Sequence, residues 1–401
     1  MNNELKSLLG RSVLVLLAAS FLLTGCATAA QKEPSAPPPA KKCKVGFFID
    51  RGSSGSGNLL LARLLYYMPE VELEFLLGQD LRDNKLIKDK FDLLVIPGGD
   101  SGQQYTSMKE EGAQAVRKFV AAGGSYFGVC AGFHCALYKP ARIGLLPFTH
   151  MKNGYGRKAP LVIDLSEKGA KVLDIPKGRY TVTYSEGPVA VPCKQPGTGW
   201  GEQLAVYVNS VSSISRPNFS FSGTPSIIHG QYGKGKVIAT SFHPEYMAST
   251  YPIAYGCFYA VTGIKTRAVF PVKCPRPIRV GFNPTGMCKR KALDFLEFDR
   301  QPDFDVSLVG IDNGLLEHID VLVITPAEIK LVGNFLAHKR HAAMLEDFTR
   351  RGGKIFMADC FAGIAPKWNN VKVVPAGKSM IEAVRADFPA LASGGSACGS
   401  K

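Results

Sequence analysis

One succession of segments occurs twice in this chain, and it limits the possible folds more than any other feature. Lys44–Asp50 (KVGFFID) is an apolar run closed by a Gly/Ser turn at Gly52–Gly57. Helical apolar spacing follows at Asn58–Met68, then a second apolar run at Val71–Leu77. A third, Phe91–Ile96 (FDLLVI), ends in Pro97-Gly98-Gly99. Ser107–Ala122 has the spacing of an amphipathic helix, Gly123-Gly124 close it, and Ser125–Val129 is apolar again. Short apolar runs alternating with helical segments predict a parallel sheet covered on both faces. The order then repeats. IRVGF at Ile278–Phe282 echoes KVGFF, and VLVI at Val321–Ile324 with Thr325-Pro326 echoes LLVI with Pro97. Leu345–Arg351 with Gly352-Gly353 echoes the helix ending at Gly123-Gly124, and Phe356 falls where Phe127 does. The separations are 235, 228, 229 and 229 residues. So small a drift predicts duplication of one α/β unit, against the plainer alternative that all doubly wound domains share such strings.

The expected fold class is therefore α/β: two flavodoxin-like, three-layer αβα lobes with mainly parallel sheets. Lys177–Thr240 is rich in Val, Thr, Ser, Gly and Tyr, which predicts extra β-strands on the first sheet. Pro271–Pro277 (PVKCPRP) has the composition of an interdomain linker. At about 100–200 residues per domain, 401 residues accommodate this division. The boundaries expected are 1–25 for a signal peptide, 26–42 for a tether, 43–265 and 275–390 for the lobes, and 391–401 for a disordered tail.

The first residues read as an address. Lys6 and Arg11 precede the apolar stretch Ser12–Leu23, which is too short to span a bilayer stably. Leu23-Thr24-Gly25-Cys26 follows and resembles a bacterial lipobox. That resemblance implies cleavage before Cys26 and lipidation of its thiol, with Ala27 implying outer-membrane sorting. A plain secretory signal is the alternative. Ala27–Lys42 offers almost nothing to bury and reads as an extended tether. The protein is expected in the cell envelope, on the periplasmic face of the outer membrane, with the membrane as partner through the lipid. Nine cysteines besides Cys26 would then sit where disulfides persist. None forms a CxxC pair or a zinc-like cluster, so neither a metal nor a cofactor is expected. The net charge is +15, but Lys and Arg are scattered with no basic helix or aromatic-interleaved basic strand, which argues against nucleic acid.

Chemistry concentrates at Gly128-Val129-Cys130-Ala131-Gly132. An apolar strand runs into G-x-C-x-G and then into a helix start, the cysteine form of a nucleophile elbow. Small residues are needed two positions either side, because side chains there would collide around the tight turn. A thiol at a helix N-terminus is also favoured as thiolate. A second apolar strand ends in Phe242-His243-Pro244-Glu245. His243 and Glu245 lie two apart, so in extended backbone they point the same way, imidazole toward Cys130 and carboxylate behind it. The backbone N–H groups of Ala131 and Gly99 are the candidate oxyanion donors, with Gly98 beside them. A buried structural thiol, or a disulfide with Cys135, is the bland alternative for Cys130. His150 and His229 read as core or loop residues.

VIPGGD, GVCAG and FHPE, in that order, together resemble the class I glutamine amidotransferase-like superfamily. With TYSEGP at Thr183–Pro188, the layout is most similar to the domain N-terminal to biotin–protein ligases. The resemblance spans about Lys44–Val261. It implies a Cys130–His243–Glu245 triad, with the Gly98-Gly99 turn contributing to an oxyanion hole completed by Ala131. Gly98, His134 and Glu186 are the candidate substrate contacts, with simple helix exposure the alternative for His134 and an ordinary loop carboxylate the alternative for Glu186. Glutamine-hydrolysing members continue the elbow to a Gln where this chain has His134, which argues against glutamine amidotransfer. The expected function is a cysteine-dependent hydrolase of an amide or peptide-like bond. The alternative is a non-catalytic envelope binding or scaffold lipoprotein. At a separation of 229, Cys130 maps to Asp359, with Cys360 beside it and no elbow around either, so the second lobe is expected to keep the architecture without the chemistry.

Overall fold

The computed structural model describes residues 42–389, apart from 54, 152–157, 194–198, 212–219, 285, 310–313 and 328. The expected signal peptide, the Cys26 expected to carry lipid, the tether up to Lys41 and the tail 391–401 lie outside the described residues. The described part of the chain falls within a single compact unit.

The first lobe supplies β1 (Cys43–Phe48), β2 (Val71–Leu76), β3 (Leu93–Ile96), β4 (Ser125–Val129), β5 (Phe148–His150), β6 (Ala159–Leu165), β7 (Gly178–Tyr184), β8 (Ala190–Pro192), β9 (Trp200–Tyr207), β10 (Pro225–Tyr232) and β11 (Gly235–Thr240). Nine of them form one sheet in the order β2-β1-β3-β4-β11-β10-β9-β6-β7. Pairing is parallel from β2 to β11. Beyond β11 it is antiparallel. The two halves differ in burial for a physical reason. β3, β4 and β11 are buried at nearly every position, as strands covered on both faces must be, whereas β6 and β7 alternate. The extension starts at Ala159, earlier than Lys177, because β6 carries the same alternation just outside the Val/Thr/Ser-rich stretch.

The second lobe supplies β12 (Ile278–Phe282), β13 (Phe304–Leu308), β14 (Val321–Ile324), β15 (Lys354–Ala358) and β16 (Val371–Val374), all parallel, in the order β13-β12-β14-β15-β16. Its first four positions repeat β2-β1-β3-β4 of the first sheet. Val45 faces Leu93 in one lobe, and Val280 faces Val321 in the other. The paired glycines serve one purpose in both. A Cβ on Gly124 would run into the Phe119 ring, and one on Gly353 into the Phe348 ring, so each turn lets a phenylalanine fold beneath it.

The helix expected at Ser107–Ala122 is Ser101–Ala121. Asp100 caps it, its carboxylate accepting from the Gly102 and Gln103 amides at 2.8 and 3.0 Å. Lys109 interrupts it with φ 56° and ψ −176°, which is why the periodicity becomes legible only near Ser107.

Pro271–Pro277 contains no helix or strand, but it is held down rather than free. The Cys274 amide donates to Pro302 O at 2.8 Å, and the Lys273 ammonium to Gln301 O at 3.1 Å. The lobes meet where helix Ser56–Tyr66 approaches helix Lys289–Arg300, and the Arg63 Nε lies 2.8 Å from the fully buried Asp299 carboxylate. One apolar cluster containing Phe47, Leu61, Leu65, Phe295 and Phe298 runs through both lobes. Cys274 is disulfide-bonded. Among the described residues no helix is long and apolar enough to cross a membrane.

Candidate active site

Strand register brings together residues that are 113 apart in the chain. β4 and β11 are parallel neighbours with Val129 opposite Thr240, so both chains leave the sheet at one carboxyl edge. Cys130 turns sharply there, with φ 52° and ψ −102°, a left-handed conformation rare for a residue with a Cβ. Its amide donates to Thr240 O at 2.8 Å, which ties the bend to β11. The helix Ala131–Ala136 begins immediately afterwards. Both flanking glycines are required. A Cβ on Gly128 would lie 2.5 Å from Gly132 O, and one on Gly132 would run into the Ile96 carbonyl.

His243 is fixed by its amide, which donates to Thr183 O at 2.9 Å, and by Pro244, whose carbonyl accepts from the Thr250 hydroxyl at 2.7 Å. The segment is a turn rather than the extended backbone expected, yet it brings the two side chains together. His243 Nδ1 lies 2.7 Å from Glu245 Oε1, and the ring lines the same cavity as Cys130, within its electrostatic reach. Burial lowers the imidazole pKa, but the neighbouring Glu245 and Cys130 side chains outweigh it, so His243 is held well above the ordinary histidine range. Glu245 is 1% exposed, and its Oε2 has no hydrogen-bond partner, which leaves its charge directed at the imidazole. Gly98 sits between nucleophile and ring. A Cβ there would lie 2.7 Å from His243 Cε1 and 3.6 Å from Cys130 Cβ. Gly57 fits behind the dyad, where a Cβ would come within 2.5 Å of Glu245 Oε1.

Cys130, Ala131, Gly99, His134, Glu186 and His243 all line one cavity of about 550 Å³. Gly99 adopts φ 134°, open to glycine. His134 Nδ1 pairs with the Ser101 hydroxyl at 2.9 Å, and burial with Arg142 nearby pushes its pKa to about 3, so the ring is neutral. Glu186 is exposed on the wall with φ 56°. Cys130 and Cys135 are both free thiols, which removes the disulfide alternative. Burial pushes Cys135 up to about 12. His150 stacks on His134 at 4.8 Å, and His229 lies 3.7 Å from Glu202, far along the sheet. Sequence reasoning missed Tyr246, whose ring packs edge-on against His243 at 5.0 Å and whose hydroxyl accepts from the Gly57 amide at 3.1 Å. Its place directly after the HPE string was the available signal. Ser101 and Ser185 were missed as well, since a lone serine carries no pattern.

Residues 80–142, which hold the elbow and the Gly98-Gly99 turn, match the family model described as biotin-protein ligase, N terminal. Over 162 residues the chain is 29% identical to the pyridoxal 5'-phosphate synthase subunit PdxT of Koribacter versatilis, covering 39% of this chain and 70% of that one. The first lobe is similar to these proteins over those stretches. Solved structures similar to it include a glutamine amidotransferase, 21% identical with a TM-score of 0.36, covering 55% of this chain and 99% of that one. PurLQS from Thermotoga maritima is 16% identical with a TM-score of 0.40, covering 55% and 98%. At such scores the fold rests on the chain's own strand order.

The second lobe differs from the first. Asp359 and Cys360 follow β15 and line a larger cavity, about 700 Å³, with Thr325 and Asp294. Among the described residues no histidine lines it. Among the described residues no cluster of His, Cys, Asp and Glu is arranged to hold a metal.

Proposed function

We propose that this is an exported, lipid-anchored protein whose first lobe cleaves an amide or peptide-like bond with Cys130. The observation that carries the reading is the position of His243, which lines one cavity with Cys130 and lies 2.7 Å from a buried Glu245. Cys130 Sγ attacks the carbonyl carbon, and the carbonyl oxygen becomes an oxyanion received by the amides of Gly99 and Ala131. His243 gives its proton to the departing nitrogen as the C–N bond breaks, leaving an acyl thioester. Water, deprotonated by His243, then releases the acid and restores the thiol. Glu245 holds the imidazolium and its orientation throughout. His134, neutral and turned toward Ser101, supplies no equivalent of a glutamine side-chain amide, so hydrolysis rather than glutamine-dependent transfer is the proposed reaction. The anchor is Cys26, and the location is the periplasmic face of the outer membrane. The second lobe, with Asp359 at the place of the nucleophile, favours the other reading, a non-catalytic binding or scaffold lipoprotein.

Alkylation of Cys130 by iodoacetamide, followed peptide by peptide across pH, separates the two. A poised thiolate reacts well below the usual thiol range of about 8.5. His243→Ala should move that profile upward; an unchanged profile removes the triad. Cys26→Ser should transfer the protein from the detergent to the aqueous phase on Triton X-114 partition.

A further inference from the structure

We propose that the amide cleaved at Cys130 lies beside a cationic group, an ammonium or guanidinium, which Glu186 receives. The proposal rests on the reading of Cys130 as the nucleophile and adds the charge of its substrate. The chain as a whole carries +15, so its surface should attract anions. The elbow cavity has the opposite character. Among its described lining residues there is no Lys or Arg, while Asp100 and Glu186 both contribute carboxylates.

The two carboxylates are not equivalent. Asp100 is occupied as a helix cap, accepting from the Gly102 and Gln103 amides and, at 3.3 Å, from the Gln103 side chain. Glu186 has neither an ion pair nor a side-chain hydrogen bond among the described residues. The charge of His243 is already answered by Glu245 at 2.7 Å. Arg142 reaches Ser101 Oγ at 3.2 Å, and Lys158 lies 5.7 Å from the Tyr246 ring centre, but neither lines the cavity.

The backbone fixes where Glu186 stands. The preceding carbonyl, Ser185 O, is 3.6 Å from Cys130 Sγ. The following residue, Gly187, is pressed so closely against Ser241 O that no Cβ could be added. Glu186 is thus held between a contact to the sulfur and a seam to the sheet, in a left-handed conformation at φ 56°. A substrate with a free carboxylate would find among the described lining residues no side-chain cation other than His243, whose charge Glu245 already answers, whereas one bearing an amine next to its amide would meet a carboxylate without an ion pair. An amino-terminal peptide amide or an acylated diamine fits that description.

The test uses the full chain and three methanethiosulfonates: trimethylammonioethyl (cationic), sulfonatoethyl (anionic) and methyl (neutral). Labelling is read at Cys130 by peptide mass spectrometry, with the exposed Cys360 as reference within the same molecule. The cation-to-anion rate ratio at Cys130 should exceed that at Cys360 by about tenfold, the effect of one carboxylate a few ångströms away in partly screened surroundings. Glu186→Gln should bring the ratio at Cys130 down to that of Cys360, and Glu186→Asp should keep most of the preference. A ratio at Cys130 no higher than at Cys360, or one unmoved by Glu186→Gln, overturns the charge assignment. Failure of the underlying reading looks different. If His243→Ala does not slow the neutral reagent, Cys130 is not a poised thiolate, and the amide substrate falls with it.

Discussion

Gly98→Ala should disable Cys130 without touching any group that reacts. A Cβ at this position would sit 2.7 Å from His243 Cε1, whereas ordinary contact begins near 3.4 Å, so the ring must withdraw by about 0.7 Å. It cannot retreat freely, because Gly57 leaves no slack behind it: a Cβ there would already approach His243 Nδ1 to 3.0 Å and Glu245 Oε1 to 2.5 Å. The imidazole therefore turns away from the sulfur while its hydrogen bond to Glu245 is kept. Misplacement of this size costs about 10²-fold in reactions that depend on alignment. Crowding a packed site by one methyl costs about 1–3 kcal/mol of stability, leaving a folded protein. The assay is the second-order rate of Cys130 alkylation at pH 7, with the thermal midpoint measured on the same sample. A rate within twofold of wild type at an intact midpoint would refute the idea that Gly98 sets the spacing between thiol and imidazole.

Other outcomes follow from the same geometry. Glu245→Gln should return His243 toward the ordinary range. Its ring signals in NMR, which in the wild type should stay those of an imidazolium well above the ordinary histidine range, should then titrate near 6.5. Because the folded pKa of His243 is raised, its contribution to stability is complete below about 6.5 and is lost as pH climbs through the folded value; Glu245→Gln should flatten that dependence. Asp299→Ala leaves Arg63 and Lys273 facing a buried space without their anion, and should cost about 3–5 kcal/mol in denaturant unfolding. Burial raises Asp294 to about 6, so it costs stability above that pH and ceases to do so below about 3.8. Asp294→Asn should accordingly stabilise the protein at pH 7 and make little difference at pH 4.

The two-lobe α/β architecture was legible in the order of apolar runs, because a strand buried on both faces needs an uninterrupted apolar string. The Gly-Gly turns were legible because only glycine lets Phe119 and Phe348 fold beneath their own chain. The elbow was legible for the same steric reason at Gly128 and Gly132. Tertiary structure alone decided the rest. The meeting of Cys130 with His243 depends on β11 inserting next to β4 in parallel register, a pairing no local string specifies. The burial of Glu245, the closing of His243 between Gly57 and Gly98, and the exposure of Glu186 all depend on neighbours drawn from four separate segments. So do their charge states, since desolvation and Coulomb attraction vary with distance in space, and sequence separation does not determine that distance.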